Sequence, residues 1–310
     1  MGLDVERRAQ AAGRRIAFRR VRCYFGGTSG ARGIIDTGNG MREYLDLVER
    51  VLTNGTMKKN RTGVDSISCF AEHYKVDLAK GYPLLTTKKV NFDAMLYEVL
   101  WYLSGEDHIR NLMKHTKIWN AWADENGNLE TAYGRYWRRF PSAQINPATG
   151  KYEVVEVDQI GRVTELLKTD PNSRRMVVTA WEPGNALGSR LPPCHYTFAF
   201  NVQQEKLCCH LTQRSGDIAL GIPFNLAAYA LLTQILAQEA GLPPGIFSHT
   251  IVDAHIYVNH IEGLREQIKR TPKPLPSLKI DKVPIDELKF ENFTLVGYES
   301  YEPIKFQVAV

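Results

Sequence analysis

Several residues of this chain break the pattern around them in ways that suit chemistry. Cys194 follows Pro192-Pro193 and precedes His195 at the mouth of a strand-like run. A thiol exposed at such a turn, with arginines near enough to favour the thiolate, is a nucleophile. A cysteine packed as a small hydrophobe is the structural alternative, and it is our reading of Cys69, Cys208 and Cys209. The arrangement of cysteine phosphatases does not apply, because Phe200 stands six residues on, where an arginine is needed. Glu98 lies in an apolar helical run beside Met95, Val99, Leu100, Trp101 and Tyr102. A carboxyl there is either ion-paired or carries a raised pKa suited to proton transfer, and the pattern leaves both open.

Two arginine sites suit a phosphate dianion. Arg174-Arg175 follows Asp170-Pro171-Asn172-Ser173, and Arg214-Ser215-Gly216-Asp217 ends a strand. Guanidinium forks beside a hydroxyl and glycine-freed amides match phosphate oxygens, with surface salt bridges as the alternative. Neighbours on a strand face opposite ways, so Arg174 and Arg175 reach one ligand only from a bend or across a subunit boundary. Asn225 sits in the first turn of a helix, after Gly221-Ile222-Pro223-Phe224. Its amide suits the edge of a pyrimidine, or else a local helix-start hydrogen bond. His255 and Tyr257 share one strand face, where they either touch a hydroxyl-bearing ligand or sit satisfied in the interior.

The elements that must hold these residues show in the spacing. Tyr44, Val48, Val51 and Leu52 form one helical stripe over 43–52, closed by Gly55. Residues 92–103 are apolar nearly all round, which predicts a core helix. Residues 174–181 and 196–202 read as strands, and 207–213 pairs with the second through the turn Gln204-Glu205-Lys206. Pro223 suits the first turn of a helix that ends at Gly241. Alternation over 252–259 predicts a strand with Val252, Ala254, Ile256 and Val258 on one face. Strands mixed with long buried helices indicate an α+β fold, helices packed on a sheet. The apolar stretch 222–241 is broken by Asn225, Gln234, Gln238 and Glu239, so it reads as a buried helix rather than a membrane span.

Charge is distributed unevenly. The 310-residue chain carries a formal +5, and residues 1–40, with eight Arg, no Lys and three acids, account for all of it. Residues 41–310 balance 31 positive against 31 negative charges, unlike a general phosphate-backbone binder. The first 40 residues also hold eight of the 24 Gly, so we read a flexible arm joined to one catalytic domain over 41–310. Arg-rich and acid-poor composition also suits a transit peptide, yet Ser is scarce and no clean apolar stripe appears. A hydrophobic content of 44% and a charged content of 24% exclude a disordered chain or a disulfide-stapled miniprotein. Five cysteines without a secretory signal predict reduced thiols and a cytoplasmic location. Cys208-Cys209-His210 lacks zinc-finger spacing, and no metal is expected.

Taken in order, Arg61-Thr62-Gly63, Pro83 to Lys88, Trp119 to Gly127, Tyr133-Gly134 and Ser173-Arg174-Arg175 form part of a set. Pro193-Cys194-His195, Gln213 to Asp217, Gly221 to Asn225 and His255-Ile256-Tyr257 complete it. From Met41 to Val310 the chain thereby resembles the folate-dependent, flavin-independent thymidylate synthase family. The resemblance implies helices on a large mixed sheet, with one sheet face forming the interface of an obligate homodimer. It implies methylation of dUMP to dTMP by 5,10-methylenetetrahydrofolate, released as dihydrofolate, with no metal, membrane or nucleic acid required. Cys194 would add to uracil C6, with Arg214 close enough to favour its thiolate. Arg61, Arg174, Arg175, Arg214 and Ser215 would bind the phosphate, 174 and 175 coming from the partner subunit. Asn225 would meet the O4/N3 edge, His255 and Tyr257 the 3′-hydroxyl, and Gln213 and Asp217 the nucleotide side. Glu98 would run a water network to O4, and Tyr133 would stand where the C5 proton leaves. On the folate side the resemblance implies Lys88, Trp119, Asp217, Leu220 and Phe224, with Val308 and Val310 in a closing tail.

The chain also departs from the family pattern. Glu130-Thr131-Ala132 stands where Gly-Pro-Val is common, Tyr136 and Ala199 replace usual Gln residues, and Asn91 replaces a His or aromatic. Cytidylate hydroxymethylases of the same fold carry an acid at the position of Asn225, so the amide argues for uracil. A uridylate 5-hydroxymethylase using the same nucleophile is the alternative reading, and RNA binding through the N-terminal arm a further one.

Overall fold

In the computed structural model the described residues are 41–60 and 62–308. The expected arm over 1–40, Arg61 and Val310 lie outside the described residues. The elements run α1 (Arg42–Asn54), β1 (Thr56–Lys58), β2 (Ser66–Asp77), α2 (Phe92–Ser104), α3 (Tyr133–Arg138), β3 (Phe140–Ile145) and β4 (Tyr152–Val157). They continue with α4 (Gln159–Thr169), β5 (Val177–Thr179), α5 (Pro183–Gly188), β6 (Thr197–Gln203), β7 (Lys206–Asp217), α6 (Gly221–Glu239), β8 (Pro244–Tyr257), α7 (Ile261–Gln267), β9 (Ser277–Ile280) and β10 (Phe293–Val296). The expected α+β architecture is present. The large sheet has the order β1-β2-β8-β7-β6-β5, antiparallel except for the parallel pair β7–β8 that α6 connects. Helices α1 and α6 bury their apolar residues against one face of it, and α2 packs on α6 and α3. The other face presents His73, His210, Thr212, Ser248, Thr250 and Val177. Among the described residues no helix is long and apolar enough to cross a membrane.

Local chemistry explains most boundaries. Tyr44, Leu45, Leu47, Val48 and Val51 are the buried face of α1. Gly55 closes that helix as expected, but at φ −64° rather than in the left-handed region. Glycine is needed there because a Cβ would lie 2.5 Å from the Val51 carbonyl oxygen. Asn91 caps α2, its Oδ1 accepting from the Ala94 N–H at 3.1 Å, so this departure has a structural role. Gly105 ends α2 at φ +75°. The β6–β7 hairpin turns through Gln204 and Glu205, both at positive φ, with Lys206 already in β7.

Two expected strands change length. The run 174–181 shrinks to β5 because the Val177 N–H bonds back to the Arg175 carbonyl at 3.0 Å, a tight turn in place of a ladder bond. Arg174 and Arg175 are therefore exposed on an irregular segment. The run 252–259 grows backwards into β8 and stops at Tyr257, where a 3-10 turn takes over. A buried histidine, His249, and Gly245 conceal the first half of its alternation.

Helix α3 carries Tyr133 and lies against α2 through Gly134. A Cβ at Gly134 would meet the Tyr102 carbonyl oxygen at 2.6 Å and the Tyr102 Cα at 3.0 Å, both backbone atoms. Gly134→Ala is therefore expected to cost about 2 kcal/mol, typical of forced overpacking. Urea unfolding checks this, and an unchanged midpoint would contradict the close approach.

Candidate active site

A cleft of about 740 Å³ opens where the ends of β7 and β8 meet α2, the start of α6 and the loop before β6. Cys194, on that loop, is half-buried. Its loop is tied down from several sides. Arg214 donates through Nε to the Pro193 carbonyl at 3.0 Å and through Nη2 to the Pro192 carbonyl at 2.6 Å. Thr131 Oγ1 donates to the Leu191 carbonyl at 2.9 Å, which gives the Glu130-Thr131-Ala132 departure a local function. The same Arg214 Nη2 lies 3.4 Å from Cys194 Sγ. A fixed guanidinium at that distance stabilises thiolate over thiol. Cys209 contrasts with it, since burial pushes its thiol up to about 12. Cys69 is raised by the same cause, whereas Cys208, expected to be buried, is only half-buried.

Tyr133 stacks on His195 with ring centroids 3.7 Å apart, and its hydroxyl accepts the Cys194 backbone N–H at 2.7 Å. Burial holds the phenol well above its usual range, so it stays protonated beside the sulfur. His195 is held neutral, with a pKa of about 3 through burial, and its Nδ1 lies 2.8 Å from the Tyr229 hydroxyl. Glu98 from α2 reaches the same wall. Its Oε1 accepts from Trp119 Nε1 at 2.7 Å. Burial raises its pKa to about 7, against the opposing hydrogen bonds of Trp119 and Tyr102. The ion-pair reading of Glu98 gives way to the raised-pKa one, because among the described residues its hydrogen-bond partners are an indole and a phenol rather than a cation.

Across from the sulfur stand two amides. Gln213 Nε2 donates to the Ser215 carbonyl at 2.9 Å and to Asn225 Oδ1 at 3.0 Å. A carbonyl oxygen only accepts, so Ser215 fixes which end of Gln213 is nitrogen. The second N–H of that nitrogen then requires Oδ1 of Asn225, which turns the Asn225 NH2 to the cleft. That arrangement matches an acceptor on a pyrimidine ring.

The polar end is formed by Arg214, Ser215, His255 and Tyr257. His255 Nδ1 lies 3.3 Å from Asp253 Oδ1, and Asp253 also accepts from Ser68 at 3.0 Å and Lys58 at 2.7 Å. These partners, His255 foremost, hold the Asp253 carboxyl far below the usual carboxylate range. The apolar end is lined by Ile118, Trp119, Trp122, Leu191, Leu220, Phe224 and Val308. Asp217 lies beside it, its Oδ1 accepting from the backbone N–H groups of Ala219 and Leu220 at 2.8 and 3.3 Å.

Most of the expected site residues thus line one cleft: Cys194, Glu98, Tyr133, Gln213, Arg214, Ser215, Asp217, Asn225, His255, Tyr257, Trp119, Leu220, Phe224 and Val308. Three do not. Arg174 and Arg175 are exposed and do not line it. Lys88, expected on the folate side, is buried outside the cleft lining, donates to the Ala219 carbonyl, and its Nζ lies 4.8 Å from the Phe306 ring centroid. Burial lowers its pKa to about 8, with Asp217 pulling the other way. It supports the Asp217 turn from behind. Sequence reasoning passed over Lys58, Asp253, Trp122 and Leu191 as site residues. The basic run Lys58-Lys59-Asn60 and the polar face of the 252–259 alternation were the signals for the first two. Among the described residues no group of His, Cys, Asp and Glu is placed to hold a metal ion.

Comparison with known proteins bears on this site. The sequence model of the thymidylate synthase family matches residues 42–310. A thymidylate synthase of Haloferax volcanii is 44% identical over 327 aligned positions, covering 86% of this chain and 96% of that protein.

Proposed function

The chain belongs to the thymidylate synthase family and methylates dUMP to dTMP, and we propose that it does so by covalent catalysis at Cys194, with 5,10-methylenetetrahydrofolate as co-substrate. The observation that carries this reading is the guanidinium of Arg214, 3.4 Å from Cys194 Sγ inside the cleft. Carbon C5 of uracil is a weak nucleophile. Addition of the Cys194 thiolate to C6 forms a C–S bond and moves the C5–C6 π electrons toward C4–O4, leaving C5 nucleophilic. The Asn225 NH2 donates to O4 as charge gathers there. Glu98, with its pKa near neutral pH, exchanges protons with O4 through water. Tyr133 lies beside the sulfur, where the C5 proton is lost. Expulsion of Cys194 as thiolate at the end restores the aromatic pyrimidine.

The co-substrate supplies the carbon and the hydride. The indole and aliphatic walls beside the Asp217 carboxylate fit a flat heteroaromatic ring with N–H donors. Trp119, Leu220, Phe224 and Val308 would pack on it, and Asp217 would accept from its ring. Arg214 and Ser215 would bind the dUMP phosphate, and His255 and Tyr257 its 3′-hydroxyl. Arg174 and Arg175 would complete the phosphate site of a partner in a homodimer. Their exposure, next to the sheet face of His73 and Val177, supports that arrangement. A thiolate nucleophile needs a reducing compartment, which supports a cytoplasmic location.

Methylation and 5-hydroxymethylation share the nucleophile and differ in the fate of the folate. The relationship to a thymidylate synthase does not favour hydroxymethylation. Incubation with dUMP and methylenetetrahydrofolate is expected to give one dihydrofolate per dTMP, followed by absorbance. Release of tetrahydrofolate with a hydroxymethylated nucleotide would overturn this reading.

A further inference from the structure

Behind Gln213 the hydrogen bonds run on into the core. Gln213 Oε1 meets His249 Nε2 at 3.1 Å, and His249 Nδ1 meets the Tyr74 hydroxyl at 2.9 Å. The sheet brings them together: Tyr74 of β2 is the cross-strand partner of His249 in β8, and β7 lies on the other side. Gln213 is 2% exposed, His249 0% and Tyr74 5%, and neither Tyr74 nor His249 lines the cleft.

The polarity of this run is settled at its cleft end. With Gln213 Nε2 spent on Ser215 and Asn225, its Oε1 accepts, so His249 Nε2 carries the hydrogen. Burial lowers the His249 pKa to about 3, so the ring is neutral. Its Nδ1 is then bare and accepts from the Tyr74 hydroxyl. Each donor hydrogen has one acceptor. Turning the Gln213 amide over would set its oxygen against the Ser215 oxygen in a buried position, where such a clash of acceptors is costly.

We propose that Tyr74 and His249 are positioning residues for base selection, clamping Gln213 so that Asn225 keeps its NH2 toward a 4-carbonyl and against a 4-amino group. The proposal rests on Asn225 meeting the base edge, as assigned above. Without the His249 N–H, Gln213 Oε1 loses its donor and the amide is held at its nitrogen alone. Asn225 then turns its carbonyl to the cleft at lower cost, and rejection of a 4-amino pyrimidine weakens. Contacts to phosphate and sugar, made by other residues, are untouched.

The test compares dissociation constants for dUMP, dCMP and deoxyribose 5-phosphate in the wild type, Tyr74→Phe, His249→Leu and His249→Gln. The preference for dUMP over dCMP is expected to fall about tenfold in His249→Leu, the scale of one buried hydrogen bond left unmade. Tyr74→Phe is expected to lower it several-fold. His249→Gln, which keeps a donor near the Nε2 position, is expected to restore it, and deoxyribose 5-phosphate affinity stays constant throughout. A preference unchanged in folded His249→Leu overturns the clamp. If that variant does not fold, Tyr74→Phe decides, since it removes one oxygen, and an unchanged preference there overturns it. Equal affinity of the wild type for dUMP and dCMP would overturn the base-edge assignment itself, a failure distinct from that of the clamp.

Discussion

Cys194→Ser is expected to lower kcat by at least about 10^4-fold while leaving dUMP affinity within a few-fold. Serine keeps the shape of the side chain and loses the accessible anion. The Arg214 guanidinium 3.4 Å from the sulfur favours a thiolate, but the same charge cannot ionise an alcohol whose acidity is many orders weaker. Without the addition at C6, C5 stays unreactive, so every later step is lost together. Binding is expected to survive because Arg214, Ser215, His255, Tyr257 and Asn225, the residues proposed to hold phosphate, sugar and base edge, are unchanged. Dihydrofolate formation and equilibrium dUMP binding, measured on the same preparation, separate the two effects. A variant turning over within tenfold of the wild type would contradict covalent catalysis.

Glu98→Gln is expected to lower kcat by about 10^2- to 10^4-fold, the usual range for a lost proton-transfer group. It should also stabilise the fold at high pH. Burial raises the Glu98 pKa from 4.5 to about 7, so between those values the folded protein binds more protons than the unfolded chain. Stability from this group is fully present below pH 4.5 and declines as pH rises to 7, by about 3 kcal/mol in all. Glutamine keeps an oxygen for the Trp119 indole and never ionises. The variant should therefore match the wild type near pH 4.5 and exceed it at pH 8. Urea unfolding at both values, with the pH profile of kcat, provides the check. A wild-type transition near pH 7 that persists in the variant would assign it to another group.

The chemistry of the site was more legible in the sequence than its support. Cys194, Glu98, Asn225 and the 213–217 run stood out because each breaks a local pattern that burial alone would keep. The core helices α2 and α6 showed as apolar runs, and the β6–β7 hairpin as a polar turn between strands. Other features arise from contacts distant in sequence. The turn before β5 depends on a backbone bond at Arg175, which side-chain alternation does not encode. Lys88 was expected on the folate side from the family resemblance alone, and its contact with the Ala219 carbonyl, distant in sequence, is not encoded in the run around it. His249 lies before the expected strand 252–259, and only the register of β2, β7 and β8 puts it behind Gln213.

The covalent step itself is open to direct observation. In 5-fluoro-dUMP the hydrogen lost from C5 is replaced by fluorine, which cannot depart as a cation, so the C6 adduct should accumulate when methylenetetrahydrofolate is present. Mass spectrometry of the denatured protein after digestion is expected to find the nucleotide and folate on the peptide that contains Cys194, and on no peptide of Cys194→Ser. An adduct on another residue, or none from enzyme that forms dihydrofolate with dUMP, would contradict the addition of Cys194 to the ring.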